Sequence, residues 1–205
     1  MPLEVMISLK AMSAKGLWNQ IYKAGHVAYL MKMAIPWMIM TRPSVCRPRI
    51  FNFLAALRSD EAANLPVGVA GFCWGGKYVV EALWDQSKAP NGEKLVECGF
   101  IAHPSYVKYP DDIDKVVLPL AVAMPEMDNQ TSPENAEAMR KTLEGKTAKS
   151  KDQGIEHEYV FYKGAHHGFA VRADEKEVEE AERGMEAQAQ AVKWFTKWFD
   201  RAAAR

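Results

Sequence analysis

The stretch Leu65–Gly76, LPVGVAGFCWGG, decides the fold. Leu65 to Phe72 is a short apolar run suited to a buried strand, and Gly75 to Trp84 (GGKYVVEALW) takes up helical spacing directly after it. Between them Gly71 and Gly75 bracket Cys73 in a G-x-C-x-G pattern. A nucleophile elbow of this kind, here with cysteine where serine is common, holds its central residue in a strained backbone conformation. Side chains two positions either way are expected to collide with neighbouring elements, hence the glycines. The turn also sets Cys73 at a helix N-terminus, where orphan N–H groups and the helix dipole favour thiolate over thiol. The same residues equally suit a plain strand-to-helix turn with Cys73 as a small buried side chain. What lies further along the chain separates the two readings.

Outward from the elbow, apolar runs alternate with helical patterns. Cys98 to Ala102 reads as a second strand, Val116 to Met124 as a third, and Ile155 to Tyr162 (IEHEYVFY) as a fourth. Ser132 to Leu143 reads as a helix with Ser132 at its N-cap and Pro133 in its first position. Glu175 to Ala204 is a long final helix, with Val192, Phe195 and Phe199 near one apolar face and Trp194 and Trp198 alongside. Upstream, Arg49 to Arg58 places Ile50, Phe53, Leu54 and Leu57 on one helical face. Strands alternating with helices imply an α/β fold, a mostly parallel sheet flanked by helices on both sides. The α/β domain is expected over 49–205. Residues 1–48 form a separate N-terminal segment, in which Leu3, Val5, Ile7 and Leu9 alternate like a short strand and Leu17 to Met33 suits a helix.

Composition narrows the function classes. In 205 residues, 26 Lys and Arg balance 26 Asp and Glu, so no whole-molecule field steers the chain toward nucleic acid or an anionic membrane. Cys46, Cys73 and Cys98 occur in no metal-binding spacing. A sparse, odd set of thiols suits a reducing compartment, the cytoplasm by default. Val27 to Met40 is the most membrane-like stretch, but Lys32 and Pro36 interrupt it and it falls short of the roughly 20 residues a span needs. It is expected to be buried or amphipathic.

An elbow nucleophile calls for an acid and then a histidine further along the chain, each after a later strand. Pro125 to Gln130 (PEMDNQ) offers Asp128 with Glu126 as its rival, and Gly164 to Phe169 (GAHHGF) offers His166 and His167. Singly these are turn, cap or surface residues. Together, in the required order and each at the carboxyl end of a strand, they form a candidate triad. VGVAGFCWGGKY, the HPS at His103 to Ser105, and YKGAHHGFA resemble the dienelactone hydrolase family, particularly its fungal-type members, from about Thr41 to the C-terminus. The resemblance implies an α/β-hydrolase fold and a Cys-Asp-His triad on Cys73, Asp128 and the histidine before Gly-Phe, His167, with His166 as rival. It also implies an enol-lactone or ester substrate and no cofactor or metal.

The family carries several more strands ahead of the elbow than this chain has room for. Some N-terminal strands are therefore expected to be missing, and with them the loop that supplies the second oxyanion-hole donor. The first donor is the N–H of Trp74, the residue after the nucleophile. His103 is expected to line the substrate pocket, and Arg172 to hold a substrate carboxylate by a bidentate contact. An incomplete sheet leaves an edge that two copies could share as a homodimer. Two other roles suit the elbow: a catalytically impaired relative that binds a partner, and a redox-sensing thiol at Cys73.

Overall fold

The computed structural model describes residues 17–172 and 178–204. In chain order the elements are α1 (Leu17–Thr41), α2 (Pro43–Ser59), β1 (Gly68–Phe72), α3 (Gly75–Ala82), β2 (Cys98–Ala102), α4 (Asp111–Asp114), β3 (Leu120–Met127), α5 (Pro133–Lys149), β4 (Glu158–His166), α6 (Phe169–Arg172) and α7 (Val178–Ala203). The four strands form one sheet in the order β1-β2-β3-β4, with every neighbouring pair parallel. Among the described residues no strand precedes β1, which forms one edge of the sheet. The expected strand over Leu3 to Leu9 lies outside the described residues, as does the expected start of the last helix at Glu175.

Two compact units divide the chain, Met1–Ile50 and Phe51–Arg205. In the first, α1 carries apolar residues at almost every position from Tyr29 to Met40, so that stretch has no polar face to turn outward. Trp37, Met38, Ile39 and Met40 are all exposed, which corrects the expectation that this stretch is buried or amphipathic. Among the described residues no helix is long and apolar enough to cross a membrane.

In the second unit, period-two alternation with both faces covered accounts for the central strands. Cys98, Phe100 and Ala102 of β2 face a core built with Ala121, Ala123 and Tyr162 and closed by Ala187, Trp194 and Trp198 of α7. Gly99 faces the other way, where a Cβ would stand 2.6 Å from Val79 and 2.9 Å from Leu83, side chains of and just beyond α3. The sheet is thus sandwiched between α7 and α3, and a buried side chain such as Phe100 contributes roughly 1.5–3 kcal/mol. The buried stripe of α7 is Ala187, Gln190, Trp194 and Trp198. Val192, expected on the apolar face, is 60% exposed, while Phe195 and Phe199 stack 5.7 Å apart at its margin. In α2 it is Leu54 and Arg58 that are buried, and Phe53 is exposed.

Two strands are displaced from their expected limits, and proline and glycine account for both. β3 starts at Leu120 rather than Val116, because Pro119 lacks an N–H for the ladder. The displaced Val116 and Val117 instead meet the end of α3 through an antiparallel bridge to Trp84 and a bond from Val117 N–H to Leu83 O, 2.9 Å. β4 runs past Tyr162 to His166, and the register shifts opposite it between Pro125 and Met127. Gly164 takes φ +71 there, a conformation glycine adopts without strain. This extension carries the His166-His167 pair to the carboxyl end of the sheet.

Candidate active site

Each chemical group sits where a strand ends. Cys73 follows β1 directly and has φ +52, a left-handed conformation that a side chain rarely adopts. The turn is locked by Cys73 N–H to Ala102 O (3.2 Å), Gly76 N–H to Cys73 O (3.1 Å) and Ser105 N–H to Cys73 O (2.9 Å). Gly71 is needed for space: a Cβ there would lie 2.6 Å from Val79 and 2.7 Å from the Gly75 backbone. The expectation for Gly75 fails, since a Cβ on it would meet nothing within 4 Å. The second close approach falls at Gly76, where a Cβ would stand 2.9 Å from Pro104.

Asp128 lies in the loop after β3. Its carboxylate accepts Gln130 N–H at 2.7 Å and Thr131 N–H at 3.3 Å, and its side chain is 1% exposed. His167, just past β4, places Nδ1 2.9 and 3.0 Å from the two Asp128 oxygens. Burial alone would raise the Asp128 pKa, but the His167 hydrogen bond, the two backbone donors and the His167 charge hold it below the ordinary value. With Asp128 ionised, Nδ1–H is the donor and Nε2 is left for the sulfur. The Asp128 bond raises the His167 pKa, against desolvation and with help from Cys73. For Cys73, partial burial pushes the thiol up, yet hydrogen bonds from Ser105, His167 and the Trp74 N–H, with the His167 charge, bring it below the usual thiol value. The rivals stand elsewhere. Glu126 is exposed and accepts Gly164 N–H at 2.7 Å, and His166 points to solvent.

The remaining expected residues occupy different surroundings. Trp74 is at the N-cap of α3, with its N–H toward the sulfur and its ring edge-on to Tyr78 at 4.7 Å. His103 follows β2 with φ +39, is fully buried, and packs its ring 5.0 Å from His167, 5.9 Å from Phe169 and 6.1 Å from Phe72. With no exposed surface it backs the His167 ring rather than facing a ligand. Burial and the His167 charge push its pKa down to about 4, so it is neutral beside the base. Arg172 ends α6 as an exposed side chain folded beside Gly168. Ser105 was not foreseen. It is 2% exposed and places Oγ 3.4 Å from Cys73 Sγ. Its signal was positional: it stands at the carboxyl end of β2, within the quoted HPS. Among the described residues no group of three or more His, Cys, Asp or Glu could hold a metal ion.

A parallel sheet with a strained strand–turn–helix elbow at its carboxyl end belongs to the α/β-hydrolase class. Within that class the chain belongs to the dienelactone hydrolase family, whose family model matches residues 33–201. It is 28% identical over 156 residues to Hydrolase tropI of Talaromyces stipitatus, covering 76% of this chain and 55% of the relative. It is 26% identical over 162 residues to Dienlactone hydrolase 1 of Gibberella moniliformis, covering 79% of this chain and 54% of that one. The chain spans about half the length of the curated relatives it matches. The crystal structure of a puromycin hydrolase superposes with TM-score 0.54 at 16% identity, over 73% of this chain and 24% of that one, a likeness of fold.

Proposed function

We propose that this protein is a cysteine-dependent hydrolase of esters or lactones, with Cys73 as nucleophile, His167 as base and acid, and Asp128 as the group that orients His167. The observation that carries this reading is the Asp128–His167 pair, 2.9 Å apart, acting on the sulfur of a residue held at φ +52. The lowered Cys73 and the raised His167 favour a thiolate–imidazolium pair as the starting state. Sulfur attacks the substrate carbonyl, and the Trp74 N–H receives the developing oxyanion. His167 Nε2–H then protonates the leaving alkoxide or enolate as the tetrahedral centre collapses to a thioester. Water, deprotonated by the now neutral His167, attacks the thioester, and the thiolate leaves. Asp128 accepts from Nδ1–H throughout and does not itself become protonated. No cofactor or metal enters these steps.

The substrate follows from the resemblance: an enol lactone opened to a dienoic diacid, a carboxymethylenebutenolidase-type reaction. Arg172, exposed beside Gly168, is the residue assigned to a substrate carboxylate in this reading. Three free cysteines suit the cytoplasm. The β1 edge suits a second copy of the chain, and nothing in the charge balance calls for nucleic acid or membrane. One observation favours a non-hydrolytic binding role instead: among the described residues no strand precedes β1, and it is a loop after such a strand that supplies the second oxyanion donor in this fold. Losing such a donor costs about 10²–10³ in rate. Intact-mass spectrometry after mixing with an activated ester decides between the two. A transient acyl adduct on Cys73, absent in Cys73→Ala and slowed in His167→Ala, is the expected result. Equal hydrolysis by Cys73→Ala would overturn the hydrolase assignment.

A further inference from the structure

Ser105 is tied to the elbow twice. Its backbone N–H donates to the Cys73 carbonyl at 2.9 Å, and its hydroxyl oxygen lies 3.4 Å from Cys73 Sγ. The strands behind it pair in register: Phe72 lies opposite Ala102 at the ends of β1 and β2, and His103 N–H donates to Ala123 O at 3.0 Å. A hydroxyl buried to 2% exposure has lost its water partners, and leaving it without a hydrogen bond costs free energy. The sulfur is the partner it meets, and once the thiol is ionised only the hydroxyl can donate. A thiolate accepts more strongly than a thiol, so the bond favours the charged sulfur.

We propose that the Ser105 hydroxyl is a catalytic group of this site, holding the Cys73 thiolate by a donated hydrogen bond and fixing the direction from which sulfur attacks. The bond is surrendered as sulfur spends its lone pair on the substrate carbon, and it is remade when the thioester is cleaved. No atom is transferred from Ser105 in either step. Around the sulfur the charged partner is His167, with Asp128 behind it; the Trp74 N–H approaches from α3, and His103 is neutral behind the His167 ring. Ser105 is therefore a donor that keeps its own proton throughout, while His167 gives and takes one. The bond itself does not depend on the hydrolase assignment; its catalytic consequence does.

The test is the pH dependence of Cys73 alkylation by iodoacetamide, mapped by peptide mass spectrometry in the full chain. Ser105→Ala is expected to move the midpoint up by about one unit, so that at a fixed pH below it Cys73 reacts roughly tenfold more slowly. Ser105→Thr, which keeps a hydroxyl, is expected to titrate near wild type. An alanine variant with an unmoved midpoint overturns the proposal. Cys98, fully buried, reports on folding: if it becomes alkylated in Ser105→Ala, Ser105→Gly replaces it, and the loss of the hydroxyl must still move the midpoint up. An unmoved midpoint there overturns the proposal too. A moved midpoint in a protein that turns over no ester sustains Ser105 and removes the hydrolase assignment instead.

Discussion

The two ends of the sheet hold the same pair of residue types and treat them in opposite ways. At the amino end Cys98 opens β2 and His157 precedes β4. Burial, with Glu97 nearby, pushes the Cys98 thiol up to about 12, and burial with the Lys146 charge pushes His157 down to about 4. Both are held neutral. At the carboxyl end Cys73 is shifted down and His167 up, both toward charge. All four are partly or wholly desolvated, so burial does not make the difference. Partners do. His157 Nδ1 accepts the Leu120 N–H at 3.3 Å, a bond that needs a neutral ring, whereas His167 Nδ1 meets a carboxylate. The difference lies in Asp128, Ser105 and the Trp74 N–H, which shift Cys73 and His167 toward their charged forms and, among the described residues, have no counterpart beside Cys98 and His157.

Removing Asp128 should therefore make the two ends alike. Asp128→Asn keeps the shape but loses the charge that raises His167, and ester kcat/KM should fall about 10²–10⁴-fold at neutral pH. The acid and base limbs of its pH profile should also move together, because the Cys73–His167 pair stays charged over a narrower range once His167 titrates lower. His166→Ala, on the exposed neighbour, should leave kcat/KM within about twofold. Equal losses from the two variants would sink the assignment of His167 over His166.

A smaller effect is expected at the rim. Arg172→Gln should raise KM about tenfold for an ester or lactone bearing a carboxylate and leave kcat unchanged, since a contact equal in ground and transition states alters binding alone. Neutral esters should show no change. A matching KM rise for neutral esters would mean that Arg172 holds the loop rather than the substrate.

Much of this contrast was legible in the chain. LPVGVAGFCWGG gave strand, turn and helix because apolar period and glycine spacing change abruptly at Phe72. Asp128 and His167 were legible by order, each following a strand. Ser105 was not, since no periodicity marks one buried hydroxyl and its role exists only once β1 and β2 pair in register. Gly75 was misassigned for a related reason: which glycine faces Pro104 depends on how α3 leaves the turn. Val27 to Met40 was misread because apolarity states a preference for burial but not whether the chain supplies a cover. The start of β3 was misplaced because an apolar count does not register that Pro119 cannot donate.

The last contrast concerns stability at the amino end. His157 Nδ1 accepts the Leu120 N–H where β3 begins, a bond only a neutral ring can make, while the His157 backbone N–H donates to Thr147 Oγ1 of α5 at 2.9 Å. Its folded pKa of about 4 lies below the unfolded value of roughly 6.5. Between those values the unfolded chain binds the proton and the folded chain does not, so stability falls as pH is lowered through this window. His103, also near 4, adds to the same slope, while His167 and Asp128 do not. His167, raised, contributes stability below its unfolded pKa that is lost as pH rises through its folded value. Asp128, lowered, loses its contribution only as pH drops through its own folded value. His157→Gln can still accept from Leu120 but does not titrate. Its urea midpoint should match wild type near neutrality and fall less steeply between about pH 6.5 and 4. A slope identical to wild type would mean that the ring is not held neutral, and the opposition between the two ends of the sheet would lose its structural half.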